Sequence, residues 1–226
     1  VQTRLGDYAA AVGHLREAME LHREAGDGPG QARALTNLGN LESRMGRDED
    51  ALGHYDEALR LYRAAGDRVG EAVLLSNLGG AEVKLRRFDA AQDHLGQALA
   101  LDRELRNQAF EASTLDFFGT LYAARGDAGG AEAHHREAMA LFRRLGDRHG
   151  EACAHNGLGE AAQVAGLARE AIGAHAAAYG IAVDPGVADR EQEARAHTGL
   201  GDAHHALGEL AEARRHYGQA RELWAE

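Results

Sequence analysis

Histidine and cysteine are the residues of this sequence best suited to metal binding or nucleophilic catalysis, and their spacing argues against both. The chain carries 13 His and a single Cys. His14, His54, His94, His134 and His216 recur at one position of a long period, interrupted by Ala174. Side chains a whole period apart cannot share an ion whose ligand bonds are about 2 Å long. His134 and His135 are neighbours, as are His204 and His205, so on a helix they point in different directions. No pair of His encloses the Glu of a metalloprotease motif. Cys153 has His155 two residues on, turned away from it on a helix, and reads as a buried, inert thiol. Short glycine-bearing stretches such as Asp127 to Gly130 lack the Lys-Ser/Thr of a phosphate loop. Carboxylates such as Glu42 and Glu82 fall once per period, with no cleft to enclose them. The expectation is no enzyme, no metal and no cofactor.

The chemistry the spacing does favour is capture. Arg33, Asn37, Asn40 and Arg44 step by four, three and four, so they align along one side of a helix. One period on, the same side carries Val73, Asn77, Gly80 and Lys84. It then carries Ser113, Asp116, Phe117, Thr120 and Ala124, next Cys153, Asn156, Glu160 and Gln163, and last Arg195, Thr198, Asp202 and His205. Asn offers both a donor and an acceptor to an extended backbone. Arg33, Arg44 and Lys84 suit a carboxylate-bearing segment.

The period itself sets the elements that position these side chains. Gly39, Gly79, Gly119 and Gly159 are 40 residues apart, and Gly201 follows 42 later. Three further columns keep the same step: Ala11, Ala51, Ala91, Ala131, Ala171, Ala213; Ala18, Ala58, Ala98, Ala138, Ala178, Ala220; and Gly6, Gly46, Arg86, Gly126, Gly166, Gly208. All absorb a two-residue insertion after Ala178. Each unit reads as two helices. Over 31–45, Ala32, Leu35, Leu38, Gly39, Leu41, Glu42 and Met45 share a face, and Gly46 ends the helix. Asp48 is the expected N-cap of the next, whose inner face is Ala51, Leu52, Tyr55, Ala58, Leu59 and Tyr62. Gly66 ends that helix and Asp67 caps the entry to the following unit. The small residues of the Gly39 and Ala51 columns are expected to face each other and let the paired backbones approach closely. One hairpin cannot bury its apolar face alone, so neighbours must stack.

Composition narrows the partners. The 226 residues are 44% hydrophobic and 27% charged, enough to build a core. Gly numbers 29 and Pro only 2, which fits many short turns rather than Pro-rich linkers. The net charge of −11 disfavours nonspecific nucleic-acid binding and docking on anionic lipid. No apolar run nears the ~18 residues of a membrane span; the most apolar, Ala176 to Val183, is interrupted by Gly180. A lone cysteine points to a reducing, cytoplasmic compartment. Only Lys84 among the 25 basic residues is lysine, a bias of GC-rich bacterial genes.

The columns Leu35, Leu38, Gly39, then Ala51, Tyr55, Ala58, resemble the signature of the tetratricopeptide repeat family over essentially the whole chain. The period of 40 exceeds that family's usual 34. The frequent first-helix aromatic is Leu35, Leu75 and Leu115 here, then His155 and His197, and the family's Pro is absent. The Asn37-Leu38-Gly39 and Asn77-Leu78-Gly79 variety resembles two groups. One is the repeat region of bacterial, particularly actinobacterial, transcriptional regulators and signalling ATPases; the other is animal cargo and polarity adaptors. The Arg-rich composition favours the first.

The resemblance implies an all-α solenoid of stacked antiparallel hairpins, a right-handed superhelix with a concave groove lined by the first helices. The expected organisation is one array over 1–226: a partial repeat at 1–25, then hairpins at 30–66, 70–106, 110–146, 150–182 and 192–226. In the partial repeat, 1–5 would be the tail of a first helix and Gly6 its end. The chain opens on Val1 inside a repeat, so a piece of a larger regulatory protein is expected. The implied activity is a non-enzymatic scaffold that holds a peptide, a protein partner or a neighbouring domain in the groove. Its candidate binding residues are Arg33, Asn37, Asn40, Arg44, Asn77, Lys84, Asp116, Phe117, Asn156, Glu160, Arg195 and Asp202, basic near the N-terminal end, acidic near the C-terminal end, with Phe117 an apolar anchor between. Two other readings stand beside it: a structural or self-association module, and a receptor for a small signalling molecule or peptide.

Overall fold

The computed structural model describes the backbone of residues 2–225 and the side chains of residues 10–225. Among the described residues there are eleven helices and no strand: α1 (Gln2–Glu24), α2 (Gly28–Arg44), α3 (Asp48–Ala65), α4 (Arg68–Lys84), α5 (Phe88–Glu104), α6 (Gln108–Ala124), α7 (Ala128–Leu145), α8 (Arg148–Val164), α9 (Ala168–Ala182), α10 (Arg190–Ala206) and α11 (Leu210–Ala225). None is long and apolar enough to cross a membrane. They form two compact units, Val1–Phe110 and Glu111–Glu226. In the first, α1 packs on α2, α2 pairs with α3, α3 packs on α4, and α4 pairs with α5. In the second, α6 pairs with α7, α7 packs on α8, α8 pairs with α9, α9 packs on α10, and α10 pairs with α11. Each unit is a helical solenoid of antiparallel hairpins stacked in chain order.

Capping explains where the helices begin. Asp27, Asp67, Asp127 and Asp147 each accept a hydrogen bond, 2.9 Å long, from the backbone N–H three residues on. Asp48 behaves differently from the expectation. The residue before α3 is Arg47, and the Asp48 carboxylate instead accepts from the Ser43 hydroxyl at 2.6 Å. Ser43 sits within reach across the turn, so the side chain ties α2 to α3 rather than capping α3.

The turn column splits by residue type. Gly46, after α2, sits at φ 73°, a left-handed conformation that costs glycine little. Arg86 occupies the same conformation at φ 59°, where its Cβ is strained, and its guanidinium lies over the Phe88 ring at 5.2 Å. Gly6, the first member of that column, lies inside α1. A glycine at mid-helix costs only about 1 kcal/mol, so it does not by itself stop a helix.

The atoms nearest the Gly39 column are not those of the Ala51 column, although the Ala91 carbonyl does lie against Gly79. The partner of each glycine is the residue 16 positions later: Tyr55, Leu95, His135, His175 and Tyr217 cover Gly39, Gly79, Gly119, Gly159 and Gly201. The ring or isobutyl group lies flat on the glycine backbone, where no side chain has room. Ala51, Ala91, Ala131, Ala171 and Ala213 are buried beside this seat. Four of the five seat residues are also pinned by a hydrogen bond to the first helix of their own hairpin. Tyr55 Oη donates to Asn40 (2.7 Å), His135 Nδ1 to Asp116 (2.7 Å), His175 Nδ1 to Asn156 (3.0 Å) and Tyr217 Oη to Asp202 (2.7 Å).

Two stability measurements follow from this packing. A methyl group at Gly79 would stand 2.5 Å from Leu95 Cγ and 3.3 Å from the Ala91 carbonyl oxygen, which cannot rotate away. Gly79→Ala is therefore expected to destabilise by about 1–3 kcal/mol in urea denaturation. Arg86→Gly removes a strained φ and is expected to raise stability by about 0.5–1 kcal/mol, net of the lost cation–ring contact.

Candidate functional site

The outward face of the first helices carries most of the candidate residues, several of them tied to neighbouring helices. In the first unit, Asn40 Oδ1 accepts from Tyr55 and also from Asn77 Nδ2 at 3.1 Å, so it joins α2, α3 and α4. Lys84 donates to Ser43 Oγ at 2.8 Å and lies 3.5 Å from the Asp48 carboxylate. Arg33, Asn37 and Arg44 are exposed along α2. The result is a basic, solvent-facing edge with an amide network beneath it.

In the second unit the same helical positions are more closed. Asn156 is fully buried: its carbonyl accepts from His175, and its amide donates to the Gln192 backbone and side-chain oxygens, both at 3.1 Å. It differs from the outward-facing side chain expected at this position, because a buried amide must find its partners within the protein. Asp116 and Asp202 are occupied in the same way by His135 and Tyr217. Arg195 meets Glu160 in a two-pronged pair of 2.7 and 2.9 Å. Burial alone would raise the Glu160 pKa, but the guanidinium outweighs it and holds the carboxyl below its ordinary range. The C-terminal end is therefore charge-compensated at this pair rather than simply acidic. Phe117 is half-buried on α6.

One constellation escaped the sequence reading. His149 lies four residues before Cys153, one turn away on the same face of α8, and its Nε2 is 3.6 Å from Sγ. Its Nδ1 is paired with the carboxylate of Asp189, the N-cap of α10. The geometry is that of a nucleophile, a base and an orienting acid. Its electrostatics are opposite: burial, then the negative charge of Asp116, pushes the thiol up to about 12, against the lowering effect of Arg195. The group is a protonated thiol at neutral pH. The i, i+4 spacing was the available signal; Asp189 is distant in sequence and only stacking brings it in. Among the described residues, no three His, Cys, Asp or Glu side chains converge as a metal site.

The comparisons with known proteins agree with the fold. The Tetratricopeptide repeat family profile matches residues 1–64, 39–104 and 70–144. The chain belongs to the tetratricopeptide repeat family. No curated protein matches the sequence significantly. Among solved structures, BtubC from P. vanneervenii is 21% identical with a TM-score of 0.70, over 96% of this chain and 89% of that one. A Rap protein in complex with competence and sporulation factor is 16% identical with a TM-score of 0.77, over 95% of this chain and 64% of that one. A STAND protein with a tetratricopeptide repeat sensor, from Pyrococcus horikoshii, is 17% identical with a TM-score of 0.69, over 93% of this chain and 31% of that one. At these identities the likeness is one of fold.

The buried imidazoles make stability depend on pH. Burial lowers the His175 pKa to about 4, opposed by the charge of Glu160. Burial also lowers His155 and His197, and lowers His216 to about 4. The unfolded chain, with His near 6.5, then binds more protons than the folded one between pH 6.5 and 4. Their contribution is complete above pH 6.5 and is lost as the pH falls toward 4. Urea midpoints at pH 7.5, 6, 5 and 4.5 are expected to fall steadily. His175→Gln keeps a donor for Asn156 without the titration, so it is expected to flatten the slope; an unchanged slope places the protons elsewhere.

Proposed function

We propose that the chain is a non-enzymatic scaffold that captures an acidic, carboxylate-bearing peptide segment on the first-helix face of its first unit. The observation that carries this reading is the basic edge of α2 and α4. Arg33, Arg44 and Lys84 stand at the solvent surface beside the exposed amide of Asn37. Guanidinium groups grip carboxylates through paired, charge-assisted hydrogen bonds, and Asn serves the peptide backbone on both sides. The amide network of Asn40 and Asn77 fixes the floor, so capture costs little reorganisation. In the second unit, Phe117, Glu160 and Arg195 supply an apolar contact and a paired charge at the corresponding positions, while Asn156 acts within the core. The Rap protein solved with competence and sporulation factor lends the reading support by analogy. So does the STAND protein, a signal transduction ATPase with a tetratricopeptide repeat sensor, for a place in a larger signalling protein.

A second reading rests on α11. Leu210, Tyr217 and Trp224 are exposed and spaced by seven, so they form one apolar stripe. Such a stripe suits another hairpin or a second copy of the chain, and sedimentation at rising concentration separates this from a strict monomer.

The test of the first reading uses a library of fluorescein-labelled ten-residue peptides. Binders are expected to be acidic. Arg33→Glu, Arg44→Glu and Lys84→Glu together are expected to weaken them at least tenfold while leaving the helical circular dichroism unchanged. Binders indifferent to the triple variant put the site elsewhere.

A further inference from the structure

The α8/α9 hairpin lacks a side-chain pair that its neighbours in the fold possess. One column on the first helix runs Glu82, Tyr122, Ala162, His204, and one on the second runs His94, His134, Ala174, His216. Across each hairpin the two columns meet. Glu82 hydrogen-bonds His94 at 2.8 Å. Tyr122 stacks on His134 with ring centroids 4.9 Å apart and planes 18° from parallel. His204 stacks on His216 at 5.5 Å and 7°. At α8/α9 both members are alanine, and there the second unit opens a cavity of about 520 Å³ between α7, α8 and α9, lined by both Ala162 and Ala174.

The volume falls within the ~300–1,000 Å³ typical of small-molecule sites. The interior supplies apolar surface from Leu158 and the alanines. The polar group in its wall is His155, whose Nε2 faces the Arg143 guanidinium at 3.2 Å. Arginine only donates, so Nε2 is the acceptor and the imidazole proton sits on Nδ1. At the rim Arg136 is paired with Glu132 at 2.5 Å, and Glu170 adds a second carboxylate. The rim is net negative, which disfavours an acid. By helical rotation of 100° per residue, Leu158 and Ala162 lie opposite Asn156 and Glu160 on α8, so this cavity is separate from the first-helix face.

We propose that this cavity is a binding site for a neutral, flat aromatic small molecule of about the size of indole. It takes the place filled by two stacked rings in the α6/α7 and α10/α11 hairpins. Such a ligand would lie between Ala162 and Ala174 in the offset-stacked space, over Leu158 and beside His155. Small-molecule sites are mostly pre-formed hollows of this size with apolar walls and a few polar groups, and the side chains around Ala162 and Ala174 leave the gap open. The proposal stands independently of peptide capture on the other face.

Indole itself is the probe, titrated into the full chain with methyl-labelled alanine and leucine. Saturable one-to-one binding that shifts the Ala162, Ala174 and Leu158 methyls is expected. The double variant Ala162→Tyr/Ala174→His rebuilds the pair of the preceding hairpin and is expected to weaken binding at least tenfold while melting cooperatively. No saturation up to the solubility limit of indole, shifts confined to other methyls, or undiminished binding by a folded double variant would each overturn the site. If the double variant fails to fold, the methyl map of the unaltered chain decides alone.

Discussion

Each hairpin is closed by a bulky side chain lying on a bare stretch of helix backbone. The first helix supplies a glycine, and the second supplies Tyr55, Leu95, His135, His175 or Tyr217 sixteen residues later. The absence of a Cβ brings the two axes together, and the flat group fills the space that remains. This single contact fixes which way each helix is turned. It places Leu35, Leu75 and Leu115 inward and the Asn37 and Asn77 positions outward. In the second unit the same rings reach further. His135 also covers Gly157, and His175 also covers Gly199, so one imidazole spaces two successive first helices.

The polar surface is a consequence of that seat. A tyrosine or histidine on glycine brings a donor into the interior, and an interior donor requires an acceptor. Asn40, Asp116, Asn156 and Asp202 meet this requirement one turn from the glycine or beside it. Their polarity is thus explained by folding before any ligand is considered. What is left for recognition is the set of charges at the periphery, most openly Arg33 on α2. The two units consequently differ in character: the first carries a charged edge, and the second an apolar hollow with a charged rim.

The helices and their pairing were legible because period, caps and turn glycines are local signals that repeat. A column of five glycines in phase is visible without coordinates. The identity of what covers each glycine was not, since Ala51 and Tyr55 are both apolar and both lie on the inner face of α3. Only the rotation of α3 in space separates them. The roles of Asn40 and Asn156 were hidden for a related reason. A polar residue one turn along from an inner-face position can look outward or bridge inward, and the hydrogen-bond partner that decides lies 15 to 36 residues away. The Cys153–His149 contact follows from spacing alone, whereas Asp189 joins it only through the stacking of α10 on α8.

Leu95 is the exception among the seat residues, having no heteroatom to anchor it. Where Tyr55 or His175 locks its own hairpin, the seat at Gly79 mates α4 and α5 by shape, and the polar tie passes to the Glu82–His94 pair. A greased contact between smooth surfaces resists separation but offers little opposition to sliding. Under load, slip along the helix axis at this hairpin is therefore opposed by one carboxylate–imidazole pair instead of by the seat residue itself.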